Sequence, residues 1–501
     1  MRKYTYMILL LIAMVLQSCA SRKTMHNTIY PKREFRGAWI QAVNGQFTGM
    51  EEVQMKSYLT EMLDNLQKVN VNAVIFQVRV EGDALYPSPY EPWSRFITGE
   101  QGCSPGWDPL AFMVRECHDR NMELHAWINP YRARTKGTGF VALEHPSMKN
   151  PKNFIEYEGQ LYFNPALQAN RDHICRIVRD ILTRYDVDGL HIDDYFYPYP
   201  AKGVDFPDNR WFEPSGYADK GDWRRDNINH LIYQLHRTVR EVKPWVKFGV
   251  SPFGIYRNGK SWEHGSKTNG LQCYDELNAD VLFWIEQGWV DYCIPQIYWE
   301  IGHPAADYEE LVSWWAKHAS KRPLYIGQDV VRTVKAKDTT VVCGNQQQRK
   351  YELQRANANV SGSCFWDAAS AANDMDGYRE FLSTGYYRYP ALMPLASFMD
   401  KTPPAKVKGI RLIKDEDGSM LLWIVDDKDV DAMDSPHRYV VYCFGKGDRV
   451  DIGNPAKIIS ITDKKYLRLP QTIEGEHVFV VTVLDRLQNE SKGVKCKVNI
   501  E

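Results

Sequence analysis

The stretch "VDGLHIDDYFYPYP", Val187 to Pro200, decides how this chain is read. It opens like a buried strand and ends in His191, Asp193 and Asp194, followed by a block of aromatic residues. Two adjacent carboxylates are costly to desolvate together, because like charges in one site push at least one pKa up. Side chains alternate across a strand. Leu190 and Ile192 are apolar and would pack against helices, which leaves His191 and Asp193 facing the other way and Asp194 on the rim.

Working outward, the same strand-like run recurs seven more times: "EFRGAWIQAV" (34–43), "AVIFQVRV" (73–80), "MELHAWINPY" (122–131), "VKFGVSPFG" (246–254), "WVDYCIPQIYW" (289–299), "PLYIGQDV" (323–330) and "SGSCFWDAAS" (361–370). Helical patterns fill the gaps, most weakly between 246 and 289. Eight strand–helix pairs predict an α/β fold of the (β/α)₈ TIM-barrel type over residues 33–398. A doubly wound open sheet is the alternative, but no Gly-rich phosphate turn follows the first strand. Near "DKTPPAKVKG" (400–409) the pattern changes to short alternating strands. Residues 402–501 therefore read as a small β-sandwich that contributes no catalytic group. Its ending "TVLDRLQNES" (482–491) resembles the last strands of fibronectin type III domains, which makes the module fibronectin type III-like. Truncation at Asp400 is then expected to leave a folded barrel.

The composition is that of an ordinary globular protein, rich in Trp (15) and Tyr (29), with a formal net charge of −1. Nothing in it calls for a nucleic-acid partner, which would want a basic face. Arg2 and Lys3 precede an apolar run, Ile8 to Leu16, too short to span a bilayer as a stable helix. "LQSC" (16–19) resembles a bacterial lipobox, so residues 1–18 read as a lipoprotein signal peptide and Cys19 as the lipidated residue, with a linker to residue 32. The plainer alternative is a secretory signal with an incidental cysteine. A lipid anchor on Cys19 would hold the protein to a membrane of the cell envelope without a transmembrane helix. The other nine cysteines lack CxxC pairs, which argues against a structural zinc site. An isolated disulfide stays open.

The alternation rule, carried to the other strands, points Gln77 and Arg79 inward on the second. It does the same for His125, Trp127 and Asn129 on the third, and for Ile294, Gln296 and Tyr298 on the sixth, with Glu300 just beyond. Polar inward residues late in several strands suit a carbohydrate pocket. Each has a plainer reading: His125 and His191 as core histidines, Arg79 as a structural partner of Asp193, Asp83 as a turn cap, and Trp127, Trp299 and Trp366 as core filler. A His/Asp metal site from His125, His191, Asp193 and Asp194 is the competing chemistry. It lacks the HxH pair common in barrel metallohydrolases, and no cofactor is expected.

Several motifs in order, "EFRGAWI", "GDALYPS", "HAWINPYR", "VDGLHIDDYFYP" and "PQIYW", resemble the bacterial glycoside-hydrolase-like family 10 over most of residues 33–395. The resemblance implies a TIM-barrel glycosidase, often with a C-terminal module. Some members are similar to periplasmic or lipoprotein enzymes that hydrolyse peptidoglycan glycan strands stripped of stem peptides. Carried over residue by residue, it implies Asp193 as the best catalytic candidate with Asp194 beside it. Arg79, Asp83, Asn129, Arg132, Gln296 and Tyr298 would contact sugar or support the carboxylates.

Glycoside hydrolysis needs one carboxyl group to protonate the leaving oxygen and a second as nucleophile or base. Asp83 or Glu300 would supply that second group across the mouth, and Tyr195, Tyr197 and Trp299 would offer faces for sugar rings. Two rivals stand beside the glycosidase: a glycan-binding lipoprotein without turnover, and a metal-dependent deacetylase or amidohydrolase.

Overall fold

The computed structural model describes residues 30–425 and 433–500; residues 1–18, read above as a signal peptide, and Cys19 lie outside the described residues. Eight parallel strands close into a barrel: β1 (Phe35–Ile40), β2 (Ala73–Arg79), β3 (Glu123–Ile128), β4 (Gly189–Ile192), β5 (Lys247–Val250), β6 (Tyr292–Cys293), β7 (Leu324–Asp329) and β8 (Val360–Trp366). Each pairs with its neighbours in sequence, and β8 closes on β1 through Phe35↔Gly362 to Ala38↔Phe365. β6 is short because the chain reaches Pro295, which has no N–H to give a ladder. Isolated bridges from Gln296 to Phe253 and Gly327 carry the pairing past it.

The outer helices are amphipathic in the way the sequence spacing demands. The helix Glu52–Gln67 starts in a capping box between Glu51 and Gln54 and buries Met55, Leu59, Met62, Leu63 and Leu66. Pro109–Asp119 is capped by the Asp108 side chain and opens on a proline, whose missing N–H costs nothing there. These helices share one large core with the outward residues of the strands, among them Val74, Phe76, Leu124, Ala126, Leu190 and Ile192.

A second, separate core fills the barrel: Phe35, Trp39, Ala73, Ile75, Trp127, Tyr292, Ile294, Tyr325 and Cys364. Its rings cross the barrel so closely that β4 and β5 must present glycine. A Cβ on Gly189 would come within 2.4 Å of the His125 ring, and one on Gly249 within 1.9 Å of the Tyr292 ring. At the N-terminal end, Glu123 and Lys247 form a buried ion pair at 2.5 Å. The interior is thus packed from below, and only its C-terminal end is left open for chemistry.

Beyond residue 408, a three-stranded antiparallel sheet of Gly409–Asp415, Gly418–Ile424 and Tyr466–Arg468 accompanies a four-stranded one. The latter runs in the order Ile458–Thr462, Arg438–Gly445, Gly475–Leu484, Val494–Ile500. Leu421, Trp423, Val441, Phe479 and Val481 fill the space between them. Tyr466–Arg468 and Val494–Ile500 are not legible as strands in the sequence: the first is only three residues long, and lysines alternate through the start of the second. Among the described residues nine cysteines are free thiols, and no helix is long and apolar enough to cross a membrane.

Candidate active site

A cleft of about 640 Å³, counting the part that opens to solvent, lies over the C-terminal end of the barrel. Strand β4 stops at Ile192, and the next two residues, Asp193 and Asp194, both line this cleft. Both are nearly buried, at 4% and 3% exposure. Asn129, just past β3, turns its amide to Asp193 and donates to both carboxylate oxygens at 3.3 and 3.2 Å. The Tyr195 amide donates to the same carboxylate at 3.4 Å. Asp194 instead accepts a hydrogen bond from the Tyr199 hydroxyl.

Burial, and then the charge of Asp194, push the Asp193 carboxyl up to about 7, against the opposing pull of Arg132, the Tyr195 amide and Asn129. Asp194 is raised too, chiefly by burial, but Tyr199 and Gln296 oppose the rise through hydrogen bonds. The two titrate as a pair. Their surroundings differ enough for one to hold a proton near neutrality while the other is ionised.

The rest of the wall comes from Gln77, Arg132, Tyr195, Gln296, Tyr298, Trp127 and Trp366, which the sequence pointed to, and from Trp39, Tyr199, Ser251, Val43 and Asn44. Arg132 stacks its guanidinium 4.7 Å over the Tyr195 ring. Gln296 donates to the Ser251 carbonyl at 2.9 Å. Trp366 sits 6.3 Å from both Trp39 and Trp127 and stacks on Tyr298 at 6.1 Å, so the floor is a box of aromatic rings. Gln77 Nε2 and Trp127 Nε1, on two floor residues, find no acceptor within the protein. Trp39 and Ser251 were within reach of the alternation rule, since they share parity with Phe35 and Gly249. Tyr199 sits in a loop, where no period could single it out.

Seven expected site residues lie elsewhere. Arg79 does not face Asp193. A register shift between Gln77 and Arg79 sets it level with the outward Ile128, and its guanidinium grips Glu91 at 2.7 and 2.6 Å and donates to the Pro130 carbonyl at 3.1 Å. Burial alone would raise Glu91, but Arg79 and His173 outweigh it and hold that carboxyl at about 2. Asp83 caps its own turn, accepting from the Glu81 amide at 2.9 Å and from Gln101 at 3.0 Å.

His125 and His191 sit below the floor with both ring nitrogens engaged. His125 bonds Tyr292 at 2.7 Å and Glu123 at 3.1 Å; His191 bonds Tyr292 at 3.1 Å and Ser251 at 2.8 Å. Burial holds His191 neutral, well below its usual pKa. With these nitrogens spent on the barrel, the metal reading of the histidines loses its ligands.

Trp299 packs edge-on to Phe253, 5.5 Å away, and joins the outer core. Glu300 follows it out of the cleft; its charge instead faces the buried Lys350 ammonium. Tyr197 is likewise buried away from the cleft, among residues of the outer core. Asn129 is a support of Asp193 and not itself part of the lining.

The glycosyl hydrolase-like 10 family model matches residues 34–341. The chain belongs to that family. It is 38% identical over 478 residues to the glycosyl hydrolase YngK of Bacillus subtilis (strain 168), covering 92% of this chain and 93% of that one. It is 37% identical over 358 residues to the glycosyl hydrolase DigH of Escherichia coli (strain K12), covering 64% and 81%. Among solved structures it is similar to the PgaB (BpsB) glycoside hydrolase domain from Bordetella bronchiseptica. There the identity is 14%, the coverage 70% of this chain and 99% of that one, and the TM-score 0.48. Family membership supports glycoside hydrolysis as the activity.

Proposed function

We propose that this protein hydrolyses glycosidic bonds in peptidoglycan glycan strands. One observation carries the chemistry: Asp193 and Asp194 lie side by side in a cleft at the C-terminal end of the barrel, where the Asp193 carboxyl is held up to about 7. A buried carboxylic acid that keeps its proton near neutrality is the group needed to protonate a leaving glycosidic oxygen. The aromatic floor and the guanidinium of Arg132 offer a sugar both ring faces and hydrogen bonds. The glycan itself is suggested by the motifs shared with enzymes of denuded peptidoglycan, and by the lipobox that would tether the protein to the envelope at Cys19. The order of the seven C-terminal strands in their two sheets supports a fibronectin type III-like module.

The test is product analysis on denuded peptidoglycan strands beside a panel of other polysaccharides. Hydrolysis of the denuded strands, lost by roughly 10³-fold or more in Asp193→Asn, is expected for a general acid. Binding without hydrolysis would make the protein a glycan-binding module. Turnover abolished by chelation would make it a metal-dependent hydrolase.

A further inference from the structure

Both carboxylates of the cleft come from the same place, consecutive residues at the end of one strand. A glycosidase that relies on its own two carboxyl groups sets them on either side of the scissile bond, roughly 5–9.5 Å apart. Across the cleft from Asp193 and Asp194 the lining is Trp39, Gln77, Trp127, Tyr298 and Trp366, and no other carboxylate among the described residues lines it.

The carboxylates at the neighbouring strand ends are committed elsewhere. Asp329 caps the helix that follows β7, accepting from the Arg332 amide at 2.8 Å. Asp367 caps the helix after β8, accepting from the Ser370 amide at 2.8 Å. The protein thus presents a proton donor and an adjacent carboxylate in the cleft, and a wall of aromatic rings and one amide, without a carboxylate, where a nucleophile would stand.

We infer that the nucleophile is supplied by the substrate, as the carbonyl oxygen of a 2-acetamido group, and that the enzyme acts on N-acetylated aminosugars with retention. The inference rests on the glycosidase reading above and deepens it. Asp193 gives its proton to the glycosidic oxygen as the bond from that oxygen to C1 breaks, the electron pair leaving on the oxygen. The acetamido carbonyl oxygen of the same sugar donates an electron pair to C1 from the opposite face and closes an oxazolinium ring.

The ring's N–H donates to the carboxylate of Asp194, which Tyr199 and Gln296 hold in place. Water then gives a proton to the Asp193 carboxylate and adds to C1. The ring C1–O bond breaks back to the acetamido group, and no protein atom is ever bonded to the sugar. The aromatic floor takes the acetamido methyl, and the unpaired donors of Gln77 and Trp127 lie in that same wall. Asp194 needs no opposite number in this scheme, which explains why two carboxylates sit together.

The test uses the full chain and denuded glycan strands, N-deacetylated and then re-acylated with acetyl, fluoroacetyl, difluoroacetyl or trifluoroacetyl groups. Fluorine weakens the carbonyl oxygen as a nucleophile. The rate is expected to fall stepwise, by about a hundredfold or more from acetyl to trifluoroacetyl, with the anomeric configuration of the first product retained. A thiazoline analogue of N-acetylglucosamine is expected to inhibit at least about a hundredfold more tightly than the free sugar, as a mimic of the bound ring.

A rate indifferent to fluorination, an inverted product, or a glycosyl group trapped on Asp329 would overturn the inference and leave the glycosidase standing. No cleavage of any glycan, the re-acetylated control included, would overturn the glycosidase reading itself.

Discussion

Asp193 and Asp194 differ in their company more than in their burial. Asp193 is met by a neutral amide and one backbone N–H, Asp194 by a phenol and Gln296. The protonated form of Asp193 is the active one, so activity is lost as pH rises through about 7. The ionised form of Asp194 is needed beside it, so activity is also lost as pH falls through its raised pKa. A bell-shaped pH–rate profile with both limbs belonging to the pair is expected, and a flat profile would remove the assignment.

The same shift has a consequence for stability. A carboxyl with a raised folded-state pKa binds its proton more tightly folded than unfolded, so folding is penalised increasingly as pH rises from about 4 to about 7. Asp193→Asn removes that penalty, at most about 4 kcal/mol at 1.36 kcal/mol per pKa unit. The expected outcome is a variant that melts higher than the parent at pH 8, loses this advantage at pH 4, and is about 10³-fold slower. Asp194→Asn is expected to cost less, about 10²-fold, as the loss of one stabilising contact.

At the scale of single strands, the sequence was legible wherever a period existed to read. Eight apolar runs set the barrel, and Leu190 and Ile192 were enough to aim Asp193 at its centre. The rule fails where the backbone leaves its period. The register shift after Gln77 breaks β2's alternation, and Arg79, counted inward from Gln77, belongs to Glu91. Beyond Pro295 the chain is no longer a strand, so Tyr298 stays with the cleft while Trp299 and Glu300 turn outward. Residues brought by loops, Tyr199 and Asn44, carry no periodic signal at all.

The corrected place of Arg79 is itself testable. It and Glu91 are fully buried at 2.6 Å, and removing one partner of such a pair strands the other's charge. Arg79→Ala is expected to cost about 3–5 kcal/mol in urea unfolding. A sugar-binding Arg79 would instead leave the midpoint untouched and raise KM alone.

Across the whole molecule, the open end of the barrel and the C-terminal sheets lie at opposite poles. The sheets meet the barrel where its strands begin. Arg438 donates to Asn121, just before β3, at 3.0 Å, and Arg486 pairs with Asp186, just before β4, at 3.0 Å. Lys32, ahead of β1, pairs with Glu490 at 2.5 Å. Gln488 reaches furthest, donating at 3.2 Å to Glu123, the carboxylate already paired with Lys247 at the barrel's base. Leu392, from the end of the barrel segment, is buried with Val440, Tyr442 and Leu484 of the sheets.

The expectation that the barrel would fold unaided after truncation at Asp400 therefore meets a physical cost. The cut uncovers Leu392 and opens the Glu123–Lys247 pair to water. It touches no residue of the cleft. Truncation is expected to lower the barrel's melting temperature while the folded fraction keeps its kcat on small soluble substrates. Gln488→Ala in the full chain should reproduce part of the loss, about 1.5–3 kcal/mol for a hydrogen bond to a buried charged group. If the truncated barrel melts where the full chain does, the contacts at the base are only surface apposition. If it stays folded yet turns over nothing, the base and the cleft are coupled through the packed interior.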